Sequence, residues 1–181
     1  MEHNNEPKNL NVRDWIVLST TLIAAVLTIL ALIWQARPST GIVTVTFLLM
    51  LSFVFFVNSV SCNSRANFEA KIEKVSEKKI NQFVIFAEYS FGFGFTLVIS
   101  AFSILGYEYL LDFMGRELYV LILPIVFLFT AWIIIIVYNS ISYSGKIWKG
   151  LRSLKRNLWT LIEMICLVFI ALDFFGVILI P

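Results

Sequence analysis

Histidine and cysteine are nearly missing from this sequence, which has one histidine, His3, and two cysteines, Cys62 and Cys166. With a single histidine in a polar N-terminal stretch, neither a histidine-based zinc site nor a histidine general base can be assembled. The two cysteines lie in or next to apolar runs, where free cysteine behaves as a small hydrophobic residue rather than as part of a disulfide framework. The sequence therefore predicts no metal site, no cofactor and no enzymatic activity.

Charge is also scarce. Charged residues make up 14% of the chain and hydrophobic residues 59%, and the mean hydropathy is +0.86. A soluble domain carries about 25% charged residues, and a chain this apolar could not cover its hydrophobic surface in water. The net charge of +2 is too small to suggest a nucleic-acid partner. These values predict an integral membrane protein.

Five long apolar runs contain neither lysine nor arginine. The hydrocarbon core of a bilayer is about 30 Å thick, and a helix needs about 20 apolar residues to cross it. Continuous runs favour helices, because the strands of a membrane barrel alternate in polarity. The sequence predicts an all-α bundle of five transmembrane helices, forming one domain over residues 15–181. The runs cover residues 15–34, 41–60, 83–105, 118–138 and 159–180.

The positive charges fall in alternate connections. Twelve of the fourteen Lys and Arg residues precede the first run, follow the second or follow the fourth. Cytoplasmic segments of membrane proteins carry such an excess. We therefore predict a cytoplasmic N-terminal tail (1–14), cytoplasmic basic connections (61–82 and 139–158) and an external C-terminus, in the cell (inner or plasma) membrane.

Three carboxylates interrupt the apolar runs: Glu88, Glu163 and Asp173. An ionised side chain at the centre of a membrane helix costs about 2.5 to 3.5 kcal/mol on insertion scales, and no cation lies in any of the five runs. Two interpretations stay open. The carboxylates are hydrogen-bonded to Ser, Thr, Tyr or backbone groups within the bundle, or they line a proton or cation path with Glu163 near its inner mouth.

Small residues recur at helical spacing in two runs. Such residues let membrane helices approach closely and hydrogen-bond across the contact. In the third run the spacing also includes Glu88, which is expected to point towards protein rather than lipid. We predict helix packing at Gly92, Gly94, Thr96 and Ser100 in the third run, and at Ala24 and Thr28 in the first.

The basic connections predict contacts at the cytoplasmic surface. Residues 65–80 are expected to continue the second helix, with separate basic, acidic and apolar stripes. Basic residues near the headgroups attract anionic inner-leaflet lipid, and the stripes could also bind a cytoplasmic protein. The predicted contact residues are Lys71, Lys74, Lys78, Lys146, Lys149, Arg152, Lys155 and Arg156.

Two functions are consistent with these features. The first is an oligomeric pore or an ion or proton pathway, because five short helices enclose little volume alone and buried acids in a membrane favour such a role. The alternative is a membrane anchor, sensor or effector subunit that recruits a cytoplasmic partner through its basic connections. Both interpretations expect a homo-oligomer or a partner subunit.

Overall fold

The computed structural model describes the backbone of residues 8–35, 40–71, 76–142 and 154–181, and the side chains of residues 13–35, 40–71, 76–134 and 159–181. Within these ranges the chain is helical and has no strand, so the predicted all-α class is confirmed. The described helices are α1 (Lys8–Gln35), α2 (Ile42–Ala70), α3 (Glu77–Met114), α4 (Leu118–Ser142) and α5 (Leu154–Phe174).

Three of the described helices are long and apolar enough to cross a membrane: Arg13–Gln35, Ile42–Ala70 and Glu77–Met114. The described part of α4 adds a shorter apolar helix, Leu118–Ile134. At about 1.5 Å per residue, α2 and α3 are roughly 44 and 57 Å long, which exceeds the thickness of a hydrocarbon core. Both helices therefore continue beyond their apolar runs.

The first compact unit contains the described residues up to Leu32 together with Met50–Phe95. In it, α1 contacts α2 through the hydroxyls of Ser19 and Ser59, which are 3.4 Å apart. The ring of Trp15 on α1 lies edge-on to Phe91 on α3, with ring centres 4.8 Å apart. Small polar pairs and aromatic contacts hold these three helix segments together.

The second compact unit contains Ile33–Leu49 and Thr96–Pro181. Here α4 packs against α5, and the chain after α5 returns to the start of α2. The backbone N–H groups of Gly41 and Thr44 donate to the carbonyl oxygens of Ile180 and Pro181, at 3.0 and 2.9 Å. Residues 175–181, here called the C-terminal strap, thus accept hydrogen bonds from N–H groups that have no partner inside a helix.

Two helix ends differ from the sequence-based prediction. The predicted fifth span, 159–180, is helical only to Phe174, because Gly176 takes a left-handed φ of 71° and the N–H of Val177 turns back to the carbonyl of Leu172. This αL turn is a common way to end a helix. The prediction that residues 65–80 continue the second helix is also wrong, since α2 ends at Ala70 and α3 begins at Glu77.

Polar side chains share the interior with apolar ones, and large apolar side chains also lie on the surface. Many large apolar side chains are exposed, among them Phe47, Val54 and Ile134. The buried positions include several small polar side chains on α1, α2 and α3: Ser19, Ser52, Ser59, Asn63, Ser90, Thr96, Ser100 and Ser103. An apolar exterior around small polar helix contacts is what a lipid environment requires.

Candidate functional site

The buried face of α5 carries both of its carboxylates. Glu163, Cys166, Ile170 and Asp173 are all buried, and their spacing of three, four and three residues is that of one helical stripe. Trp159 begins the apolar part of this helix, and the exposed positions between the stripe residues are large and apolar. The two acids therefore enter the protein interior together, although their surroundings differ.

Glu163 lies at a small pocket between α4 and α5. The pocket has a volume of about 30 Å³, whereas roughly 10 to 15 Å³ is enough for one water molecule. Among the described residues, the Oε1 atom of Glu163 has no hydrogen-bond partner. The pocket is lined by Leu128, Phe129, Trp132, Thr160, Glu163, Met164 and Leu167.

The rim of this pocket is fixed by one side-chain hydrogen bond. The indole N–H of Trp132 on α4 donates to the hydroxyl of Thr160 on α5, at 2.8 Å. Thr160 precedes Glu163 by three residues, so the bond holds α4 against the helix turn that carries the carboxylate. The resulting site is a buried carboxyl group at a small, mostly apolar pocket, with one oxygen that has no hydrogen-bond partner among the described residues.

Asp173 has a different environment, because both of its oxygens accept hydrogen bonds. The hydroxyl of Tyr107 donates to Oδ2 at 2.7 Å, and the backbone N–H of Ile180 donates to Oδ1 at 3.0 Å. Asp173 thus links α3, α5 and the C-terminal strap. Of the two interpretations that the sequence left open for the acids, this geometry favours the structural one for Asp173.

Glu88, the third candidate, is exposed on the surface of the chain, whereas Gly92, Thr96 and Ser100 are buried. Residues four apart on a helix are offset by about 40°, so Glu88 and Ser100 differ by about 120° around α3. Phe95, seven residues after Glu88, is exposed as well. The expected inward direction of Glu88 is therefore not what the structure shows.

The two predicted stripes of small residues differ in burial. Gly94 lies against α2, where a Cβ atom at this position would be 2.9 Å from the ring of Phe56 and 3.2 Å from the carbonyl oxygen of Ser52. By contrast, Ala24 and Thr28 are exposed. The buried positions of α1 are Ser19, Val26, Leu30 and Ile33, which lie on nearly the opposite side of the helix. The predicted packing role of Ala24 and Thr28 therefore stays a prediction, because no contact of these two residues with another helix is seen among the described residues.

The predicted basic contact residues are only partly described. Lys71 and Lys78 are exposed, but they follow α2 and begin α3 respectively, so they do not share one helix face. Lys155 and Arg156 lie in the first turn of α5. Four others lie outside the described residues: Lys74, Lys146, Lys149 and Arg152.

Glu69, which the sequence analysis missed, forms an ionic cluster at the end of α2. Its Oε1 accepts from Arg65 Nε at 2.7 Å and from Lys79 Nζ at 3.2 Å, and Lys79 Nζ is also 3.0 Å from Oε2. The hydrogen bond from Lys79, together with that from Arg65, lowers the pKa of Glu69 below its usual value. Glu69 lies nine residues beyond the second apolar run, with Arg65 four residues before it and Lys79 ten residues after it. This spacing is the sequence signal that could have predicted the cluster.

Glu108 is a second acid that the sequence analysis did not single out. Its carboxylate is buried in the second unit, where the hydroxyl of Thr40 donates to Oε2 at 2.8 Å. Its Oε1 atom has no hydrogen-bond partner within the described ranges. Gly41 makes the close approach feasible, because a Cβ there would be 2.6 Å from Cγ of Glu108. The carboxylate bridges the start of α2 and the last turns of α3.

In the part of the chain that the structure describes, no group of three or more His, Cys, Asp or Glu side chains could hold a metal ion. No protein-family model, curated protein or solved structure matches the chain. Function therefore has to be argued from the geometry alone.

Proposed function

We propose that the chain is a multi-pass protein of the cell membrane that provides a pathway for protons, with Glu163 as the group that takes up and releases the proton. In this proposal the chain crosses the bilayer five times, with its N-terminus in the cytoplasm and its C-terminus outside. The supporting observation is the buried carboxyl of Glu163, which belongs to a residue that lines a small pocket and whose Oε1 has no hydrogen-bond partner among the described residues.

The size of the pocket favours protons over larger ions. A water molecule fits the available space, whereas a cation with its hydration shell is larger than a single water. A carboxyl group next to water can pass a proton through hydrogen bonds without moving a heavy atom. Intramembrane carboxylates beside water are the usual components of proton relays.

The test is proton flux into liposomes that contain the purified protein and a pH-sensitive dye, driven by a potassium diffusion potential. Wild-type protein should carry protons above the level of protein-free liposomes. Glu163→Gln, which keeps the shape but cannot ionise, should reduce the flux to that of protein-free liposomes. Gel filtration and thermal unfolding of each variant establish that it is folded.

Glu88→Gln is the matched control, since it removes a carboxylate from an apolar run without touching the pocket. It should keep most of the flux, because Glu88 does not line the pocket. The proposal is wrong if the wild-type protein gives no flux, or if Glu163→Gln conducts as well as wild type. Loss of flux in Glu88→Gln alone would move the pathway to an interface between copies.

A further inference from the structure

One exposed face of α2 changes from apolar to cationic along its length. Val54, Val57, Arg65 and Phe68 are all exposed, and their spacing of three, eight and three residues keeps them on one side of the helix. The apolar run of α2 ends at residue 60. A lipid lying along this face would meet aliphatic side chains first and a guanidinium beyond them.

Glu69 holds two cations together at this end of α2. Its side chain is only 3% exposed, whereas those of Arg65 and Lys79 are 57% and 54% exposed. Both cations bond to the same oxygen, Oε1, at 2.7 and 3.2 Å. Arg65 uses its Nε for this bond, so the two terminal nitrogens of its guanidinium can still donate to another anion.

Aromatic rings restrict both cations further. The guanidinium of Arg65 lies 5.8 Å from the ring centre of Phe68, and the ammonium of Lys79 lies 6.0 Å from that of Phe83. Such cation–aromatic contacts, together with the shared carboxylate, reduce the entropy that the two side chains lose when they bind a ligand. The pair is therefore positioned in advance.

The start of α3 repeats the same order of polarity. Lys78 and Lys79 lie in its first turn, and Ile85 and Phe86, further along towards the apolar run, are exposed. Counting Lys71, four cations and two acids, Glu69 and Glu77, lie at this end of the first unit among the described residues. The net charge there is positive, and the surface next to it is apolar.

We propose that Arg65 and Lys79 bind the headgroup phosphate of an anionic phospholipid, whose acyl chains lie along Val54, Val57 and Phe86. Charge complementarity selects an anion, and the adjoining apolar face selects an anion that carries hydrocarbon chains. Glu69 acts here as a positioning residue, because it orients the two cations without contacting the lipid. This site is separate from the pocket at Glu163.

The test is the thermal unfolding of the full chain in a neutral detergent, titrated with one lipid at a time. Phosphatidylglycerol should raise the melting temperature by about 5 to 10 °C at about 100-fold above its dissociation constant. Phosphatidylcholine with the same acyl chains tests the apolar part of the proposed lipid site alone. Inorganic phosphate tests the anion-binding part alone. Each of these should give less than half of that shift.

Three variants assign the effect to the cluster. The triple variant Arg65→Gln/Glu69→Gln/Lys79→Gln removes the cations without leaving a buried charge, and it should reduce the phosphatidylglycerol shift to the phosphatidylcholine value. Glu69→Gln alone should unfold at a lower temperature and give a smaller lipid shift than wild type, because the two cations are no longer held together. Lys79→Gln, which leaves Arg65 to neutralise Glu69, should at least halve the shift and replaces the triple variant if that one does not fold.

Arg116→Gln is the control for charge in general, because it removes a cation from the segment between α3 and α4, and it should leave the shift unchanged. The proposal is wrong if phosphatidylcholine stabilises wild type as much as phosphatidylglycerol does. It is also wrong if inorganic phosphate alone gives the full shift, or if removing Lys79 and Arg65 leaves the lipid response intact.

Discussion

At the scale of single residues, the acids in the apolar runs differ in how their oxygens are used. Asp173 has a donor for each oxygen, whereas the Oε1 atom of Glu163 has no partner in the described part of the chain. Both are buried on one stripe of α5. The sequence shows that stripe, since the spacing is helical, but the partners Tyr107 and Ile180 come from distant or non-helical segments. The sequence therefore could not assign different roles to the two acids.

Tyr107→Phe tests the structural role of Asp173. The substitution removes the hydroxyl that donates to Oδ2 and leaves a buried carboxylate oxygen without that partner. It should lower the free energy of unfolding by about 1 to 3 kcal/mol, measured by chemical or thermal unfolding in detergent. Proton flux per folded protein should not change.

Tyr109→Phe is the matched control for this change. Tyr109 lies two residues further along α3 and is 70% exposed, whereas Tyr107 is fully buried. An exposed substitution of this kind usually changes stability by less than about 0.5 kcal/mol. Equal effects of the two substitutions would show that the bond to Asp173 contributes nothing.

At the scale of helices, the apolar runs predict which segments are helical, but not where each helix ends. The third helix continues through Gly106 to Met114, because apolar residues facing the interior, such as Tyr107, extend past the run. The fifth helix stops early within an apolar sequence, at the left-handed turn of Gly176, and the strap that follows makes hydrogen bonds to residues 41 and 44. Such long-range bonds leave no local pattern in the sequence.

The small-residue stripes show the same limit. The stripe on α3 contains buried residues, while the stripe of Ala24 and Thr28 on α1 is exposed. Spacing alone shows that small residues share a face of a helix, but it does not show which face contacts another helix. The neighbours decide this, and at Gly94 the neighbour is Phe56.

Gly94→Ala tests the contact between α2 and α3. The added methyl would lie 2.9 Å from Phe56 and 3.2 Å from the carbonyl oxygen of Ser52, which belongs to the backbone and cannot easily move. We expect a loss of about 1 to 3 kcal/mol in unfolding free energy from overpacking, measured by thermal unfolding in detergent.

Gly106→Ala provides the comparison on the same helix. Its added methyl would meet only a side-chain atom of Leu123, at 3.6 Å, which is an ordinary contact. Alanine is favoured over glycine within a helix by about 1 kcal/mol, so this variant should be at least as stable as wild type. If Gly94→Ala is equally well tolerated, the close helix contact is not present.

At the scale of the whole molecule, the proposed five-span arrangement depends on a lipid environment. Small polar side chains share the buried positions with apolar ones, and many large apolar side chains are exposed, an arrangement suited to lipid rather than to water. Three of the described helices are long and apolar enough to span a membrane. The five crossings and the orientation come from the apolar runs and from the distribution of Lys and Arg, and the proton pathway requires both.

Membrane topology is therefore the most direct test. A membrane-impermeant maleimide is applied to intact cells that express single-cysteine variants, made after replacing Cys62 and Cys166 by alanine. The account predicts that Phe113→Cys and Leu179→Cys, both at exposed positions, are labelled from outside. Asn5→Cys and Lys78→Cys should react only after the cells are permeabilised. Labelling of positions 5 and 179 from the same side would contradict the five-span arrangement and the proton pathway built on it.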